Sequence, residues 1–163
     1  FVSVAQRVIR KAPDTHFVWL GGRSTDPSRR SAERDVRRAG LEGRVHFLDH
    51  QDHPRSWFAG LDVFFLPARE DAYPLVCLEA AAERRPVVCF ESGGAPEFVR
   101  DDAGIVVPYP DLDAAAGALL ALKADARRRA TMGSVGRLRV EVGHRVEVVA
   151  PQLVAEIDRV ARS

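Results

Sequence analysis

At 163 residues, 46% of them hydrophobic, the chain suits one ordinary domain with its own core. Twenty-four basic and 23 acidic side chains leave a net charge of +1, so no strong field argues for nucleic acid or an anionic membrane as partner. No apolar run approaches the roughly 20 residues of a membrane span and no signal-peptide pattern is recognisable, which sets a cytoplasmic location as the expectation.

Residues 2–11 open the chain with Val4, Val8 and Ile9 on one side and Arg7 and Arg10 on the other, a helical face. Phe17, Val18, Trp19 and Leu20 then form an apolar run that stops at Gly21 and Gly22, a buried strand ending in a tight turn. Residues 27–39 are polar and Arg-rich, a surface helix ended by Gly40. Residues 45–48 are the next strand, residues 54–59 a short helix, and residues 63–66 a third strand. A helix over 74–84 and a strand over 87–90 follow. A short helix from Pro96 and a last strand over 105–107 come next. Residues 112–122, 126–140 and 145–161 read as three closing helices. Strands alternate with helices, and the strand cores are nearly continuous apolar runs. That is the pattern of an α/β domain whose parallel sheet is covered on both faces. Cys77 and Cys89 both fall in apolar segments, which fits buried free thiols in a reducing compartment.

The most informative stretch lies behind the third strand. An acidic turn, Arg69-Glu70-Asp71-Ala72-Tyr73-Pro74, leads into the Ala/Leu-rich helix that carries Glu79. Such a junction aims free N–H groups and the positive end of a helix at whatever occupies the turn, a natural seat for phosphate. Pro74 has no N–H and suits the first helical position, so Leu75 and Val76 are the expected donors, with Tyr73 lining the seat through its backbone. Asp71 and Glu79 bracket the seat with seven residues between them. Phosphate against the helix start and hydroxyls against the acids suggest a nucleotide-sugar rather than a bare nucleotide. Glu79 can accept from both hydroxyls of a ribose. Asp71 has two readings of equal weight, a sugar-facing acid or a cap for the helix that follows. Gly22, Gly93 and Gly94 admit close approach of a ligand to the backbone, and simple turn chemistry accounts for them equally well.

These motifs resemble the carboxyl-terminal half of the retaining GT-B glycosyltransferases of the large family-4 group. The resemblance is carried by Pro67-Ala68-Arg69-Glu70-Asp71-Ala72-Tyr73-Pro74-Leu75-Val76-Cys77-Leu78-Glu79-Ala80-Ala81 and by Arg85-Pro86-Val87-Val88-Cys89-Phe90. It continues in Gly93-Gly94-Ala95-Pro96-Glu97 and in the Gly-Ile-Val-Val-Pro run ending at Pro108. It implies a Rossmann-like donor-binding domain that uses a UDP- or GDP-sugar as donor substrate and needs no cofactor or metal. Glu79 would bind ribose, and Asp71 would face the donor sugar as the catalytic-site acid. His50, in the loop His50-Gln51-Asp52-His53, would sit where the family rests the nucleotide base, although surface loop residues are the plainer reading of both histidines. The family's acid pair is Glu-x7-Glu, whereas this chain has Asp-x7-Glu, one methylene shorter. Family members also open this domain with a strand and a loop bearing Arg and Lys, preceded by an acceptor-binding domain. The chain is therefore expected to be a partial domain lacking its first strand. Its partners would be the acceptor-binding domain of a parent protein and an acceptor not specified by these residues. Membrane association would arise only through parts outside the chain, and the chain alone would be inactive. The rival readings are a GT-B-type nucleotide-sugar epimerase or phosphorylase, and a non-catalytic binding or assembly domain. The GxGxxG dinucleotide fingerprint is absent, which makes a dehydrogenase a poor third. His16 and His144 read as structural or exposed.

Overall fold

The computed structural model describes residues 1–100 and 102–162. The elements alternate as the apolar runs require. They are α1 (Val2–Lys11), β1 (Phe17–Leu20), α2 (Pro27–Arg38), β2 (Val45–Leu48), α3 (Arg55–Gly60), β3 (Phe64–Leu66), α4 (Leu75–Ala82), β4 (Val87–Phe90), α5 (Ala95–Val99) and β5 (Gly104–Val107). Three helices close the chain: α6 (Leu112–Ala124), α7 (Ala126–Gly143) and α8 (Val146–Ala161).

Every strand pair is parallel, but the strands form two sheets. β1 pairs with β2, and β3, β4 and β5 pair in that order. The strands at Phe17–Leu20 and Phe64–Leu66 are not hydrogen-bonded neighbours. A five-strand sheet closed by direct β1–β3 pairing is thereby excluded.

Burial follows from this arrangement. β4 has a neighbour on each side and all four of its residues are buried, whereas β3, an edge strand, is only half-buried. Full cover on both faces, expected of every strand, is thus realised at β4. A core cluster joins the two sheets. Val4 and Val8 of α1, Phe17 of β1 and Val45 of β2 pack with Val88, Phe90 and Val107 of the larger sheet and with Ala115, Leu119 and Leu122 of α6. α6 is well started: the Asp111 carboxylate accepts from the amides of Asp113 and Ala114, at 3.0 and 2.8 Å.

Two boundaries near the acidic turn differ from the sequence reading. α4 begins at Leu75 rather than Pro74, because Pro74 is extended (φ −71°, ψ 109°) and serves as the N-cap. It ends at Ala82 rather than Arg84, which has φ 59° in the left-handed region. α7 then lies against α4 through small residues. A Cβ on Gly133 would stand 2.0 Å from the carbonyl oxygen of Arg84, so only glycine permits this approach. α8 buries none of its residues, and Val146, Leu153, Ile157 and Val160 are more than half exposed. Among the described residues no helix is long and apolar enough to cross a membrane.

Candidate functional site

The turn between β3 and α4 is built around an uncapped helix start. No side chain caps α4. The Cys77 amide is satisfied by the Pro74 carbonyl at 3.0 Å. The amides of Leu75 and Val76 find no acceptor among the described residues. Both residues are exposed, 68% and 39%. Two N–H groups at the positive end of a helix are thus open to an anion. Asp71 is exposed and its carboxylate caps no amide of α4, which removes the capping reading of that residue. Glu79 stands one turn beyond Leu75 on the same side of the helix and is exposed, while Cys77, Ala80 and Ala81 face the core.

The opposite wall is the turn after β4. The Gly94 amide donates to the Asp71 carbonyl at 2.9 Å, and the Ser92 hydroxyl donates to the Arg69 carbonyl. The two turns touch so closely that a Cβ on Gly93 would meet the Asp71 carbonyl oxygen at 2.2 Å. One on Gly94 would meet that of Ala72 at 2.0 Å. Gly93 also has φ +65°. Of the two accounts of these glycines, the structure shows a backbone approach made by the protein's own acidic turn.

Tyr73 leaves the turn in the other direction. Its hydroxyl lies 2.7 Å from Nε2 of His144, which directly follows α7. Nδ1 of His144 donates to the Arg139 carbonyl at 3.1 Å. The His144 ring also stands edge-on to Phe98 of α5, with centroids 5.4 Å apart. Arg139 completes the group: its guanidinium donates to the Phe98 and Val99 carbonyls and to Asp102, the last at 2.6 Å. Desolvation raises the pKa of Tyr73 above the usual phenol value, with a further push from Glu97, so its hydroxyl is protonated at neutral pH. The Arg139 guanidinium, by its hydrogen bond, holds Asp102 below the ordinary carboxylate range. No local pattern announces this cluster: His144 lies 71 residues from Tyr73, and the packing of α7 on α4 brings them together.

The remaining residues of interest lie elsewhere. Gly22 follows β1, next to the Asp26 carboxylate that accepts from the Arg23 amide at 2.7 Å. His50 is exposed in the loop after β2, with Nε2 3.9 Å from Asp52. No hydrogen bond among the described residues ties either to the α4 turn. Cys77 and Cys89 are free and buried, and burial pushes both thiols up to about 12. Among the described residues no three His, Cys, Asp or Glu side chains gather as a metal site.

Parallel strands flanked by helices, with an acidic turn feeding an uncapped helix start, define a Rossmann-like α/β domain with a seat for an anion, the form expected of the carboxyl-terminal domain of a GT-B glycosyltransferase. The solved structures similar to this chain agree. Sucrose-phosphate synthase from Thermosynechococcus elongatus matches with a TM-score of 0.89 and 27% identity, over 99% of this chain and 43% of its own. The C-terminal domain of a glycosyl transferase group 1 family protein from Francisella tularensis matches with a TM-score of 0.79 and 25% identity, over 90% of this chain and 78% of its own. The family described as glycosyl transferases group 1 matches residues 1–125, and the chain belongs to that family. Among curated relatives, it is 34% identical over 160 residues to the GDP-mannose-dependent monoacylated alpha-(1-6)-phosphatidylinositol monomannoside mannosyltransferase of Corynebacterium glutamicum. That match covers 93% of this chain and 41% of the relative, so the chain spans about two fifths of that protein's length.

Proposed function

We propose that this chain is the donor-binding half of a retaining, family-4-type glycosyltransferase that moves a sugar from a nucleoside-diphosphate sugar to an acceptor hydroxyl. The observation that carries the reading is the pair of open amides, Leu75 and Val76, between the exposed carboxylates of Asp71 and Glu79. The amides receive the diphosphate as it departs, when its negative charge is greatest, and fixed dipoles are worth most at that moment. Glu79 accepts from the ribose hydroxyls, and Asp71 faces the sugar. The Gly93–Gly94 turn holds the seat in place, and Gly22 and His50 belong to the base end. Acceptor contacts and the cations for the diphosphate come from outside these residues, so the chain alone turns nothing over.

GDP-mannose is the favoured donor. The Corynebacterium relative is named as GDP-mannose-dependent, and so is a Mycolicibacterium smegmatis relative 37% identical over 139 residues. The free, buried thiols support a reducing, cytoplasmic setting. Isothermal titration of the chain with GDP, UDP and GDP-mannose tests the reading. Saturable heat with GDP and GDP-mannose, and less with UDP, is expected. No heat with any of the three would end it.

A further inference from the structure

The acidic turn has few anchors of its own. α4 lacks a side-chain cap, and Tyr73 is 37% exposed, so neither helix start nor burial fixes the turn. Beyond the Gly94 amide on the Asp71 carbonyl and the Ser92 hydroxyl on the Arg69 carbonyl, the contacts that hold it lie on each side of His144. On one side the imidazole meets the Tyr73 hydroxyl at 2.7 Å, the two rings lying within 10° of parallel. On the other it stands against Phe98, whose helix follows directly from the Gly93–Gly94 turn. Both walls of the site, already joined by main-chain contact, therefore also meet at one ring. Hydrogen-bond partners assign its tautomer. The Arg139 carbonyl can only accept, so Nδ1 carries the hydrogen, which leaves Nε2 as the nitrogen that faces the Tyr73 hydroxyl. Arg139 fixes the ring's own position, because its guanidinium is tied to α5 at the Phe98 and Val99 carbonyls.

We propose that His144 is a positioning residue for the donor site, holding Tyr73 and, through it, the turn that carries Asp71 and presents the Leu75 and Val76 amides. The role rests on the donor-binding reading above. The histidine touches no substrate. It sets where the amides point and how closely Asp71 stays to Gly94. A phenyl ring in its place fills the same space yet leaves the Tyr73 hydroxyl and the Arg139 carbonyl without this partner. A glutamine can accept from Tyr73 through its amide oxygen.

The test compares His144→Phe, His144→Gln, Tyr73→Phe and the double variant His144→Phe/Tyr73→Phe by three measurements. Urea unfolding reads global stability. Amide hydrogen exchange in the ligand-free chain reads the turn through two amides, Gly94 on the Asp71 carbonyl and Cys77 on the Pro74 carbonyl, with the β4 amides as reference. Titration with GDP and UDP reads the site. His144→Phe should speed exchange at Gly94 and Cys77 relative to β4 and weaken nucleotide binding about fivefold to tenfold. Tyr73→Phe should do the same. The double variant should be no worse than either single one, and His144→Gln should recover most of the loss. Additive effects, or exchange at Gly94 that follows the global stability, would overturn the positioning role. Should His144→Phe fail to fold, Tyr73→Phe removes only one oxygen from a part-exposed side chain and decides by the same readouts. If the unaltered chain binds neither nucleotide, the donor-binding reading fails, while the exchange data still decide whether the latch exists.

Discussion

The carbonyl oxygen of Asp71 accepts the amide hydrogen of Gly94 at 2.9 Å, and this bond closes the acidic turn against the glycine turn after β4. The contact is made between main chains, so its closeness depends on a missing side chain and not on an adjustable one. Gly94→Ala should push the two turns apart, because its Cβ would lie 2.0 Å from the Ala72 carbonyl oxygen. A loss of about 1–3 kcal/mol in urea unfolding is expected, as for other overpacked sites. Nucleotide affinity should fall with it. Unchanged stability would mean that the turns move apart freely.

Glu79 contributes little to the fold, being exposed on α4. Glu79→Gln should therefore leave the unfolding free energy within about 0.5 kcal/mol of the original. Nucleoside-diphosphate affinity should drop by about 1.5–3 kcal/mol, the worth of charge-assisted hydrogen bonds to ribose. Calorimetric titration of both proteins with GDP reads the difference, and equal affinities would remove Glu79 from the site.

Asp71→Asn should separate binding from transfer. In the intact enzyme the amide keeps the side chain's size and removes its charge beside the sugar. Turnover should fall at least about tenfold while GDP affinity stays within about twofold, the pattern of a contact made in the transition state. A parallel loss of GDP affinity would assign Asp71 to the nucleotide instead.

Two glycines in helices make an internal control. Gly133→Ala in α7 places a Cβ 2.0 Å from the Arg84 carbonyl oxygen and should cost about 1–3 kcal/mol. Gly117→Ala in α6 meets nothing within 4 Å and should gain about 0.5–1 kcal/mol through helix propensity. Thermal or urea unfolding of the two variants should move in opposite directions.

The buried thiols set an alkaline limit to stability. Both have folded values of about 12, raised by burial, with the negative charges of Cys89 and Asp71 adding to the effect at Cys77. A raised thiol pKa stabilises the folded state fully below the unfolded value of about 8.5. That contribution is lost as pH climbs from there towards 12, at up to about 1.4 kcal/mol per pH unit for each thiol. Urea unfolding between pH 8 and pH 10.5 should show the decline, and Cys77→Ala should make it shallower. An identical slope in the variant would place the alkaline loss on other groups. At pH 8 neither thiol should react with an alkylating reagent until urea unfolds the chain.

Much of this was legible in the residues. Apolar runs such as Val87–Phe90 located the strands, because a centrally placed parallel strand has no face on which to show polar residues. Glu79 and Leu75 could be set on one side of a helix by their spacing alone. The boundary at Pro74 was off by one residue, since proline suits either the cap or the first turn and only its ψ of 109° decides. His144 could not be found. Its partners Tyr73 and Phe98 lie 71 and 46 residues away in the sequence, and no local pattern records a contact made by folding α7 back over α4. The small residues that permit this approach, Gly133 and Gly136, lie within one helical run, and nothing in their spacing names the Arg84 carbonyl or Ala81 as what they meet.

The gap between β1 and β3 has a mechanical consequence. Hydrogen-bonded strands keep register in steps of whole residues, whereas apolar surfaces in contact keep no register at all. The β1–β2 pair meets the other three strands through the second kind of contact, by way of α1 on α6 and the shared cluster around Val4, Phe17 and Leu122. Side chains add to that contact: Arg7 donates to Asp113 and Lys123 to Asp14, each at 2.7 Å. Gly22 and His50 on one side, and Asp71 and Glu79 on the other, are thus held at their span by side chains rather than by strand register.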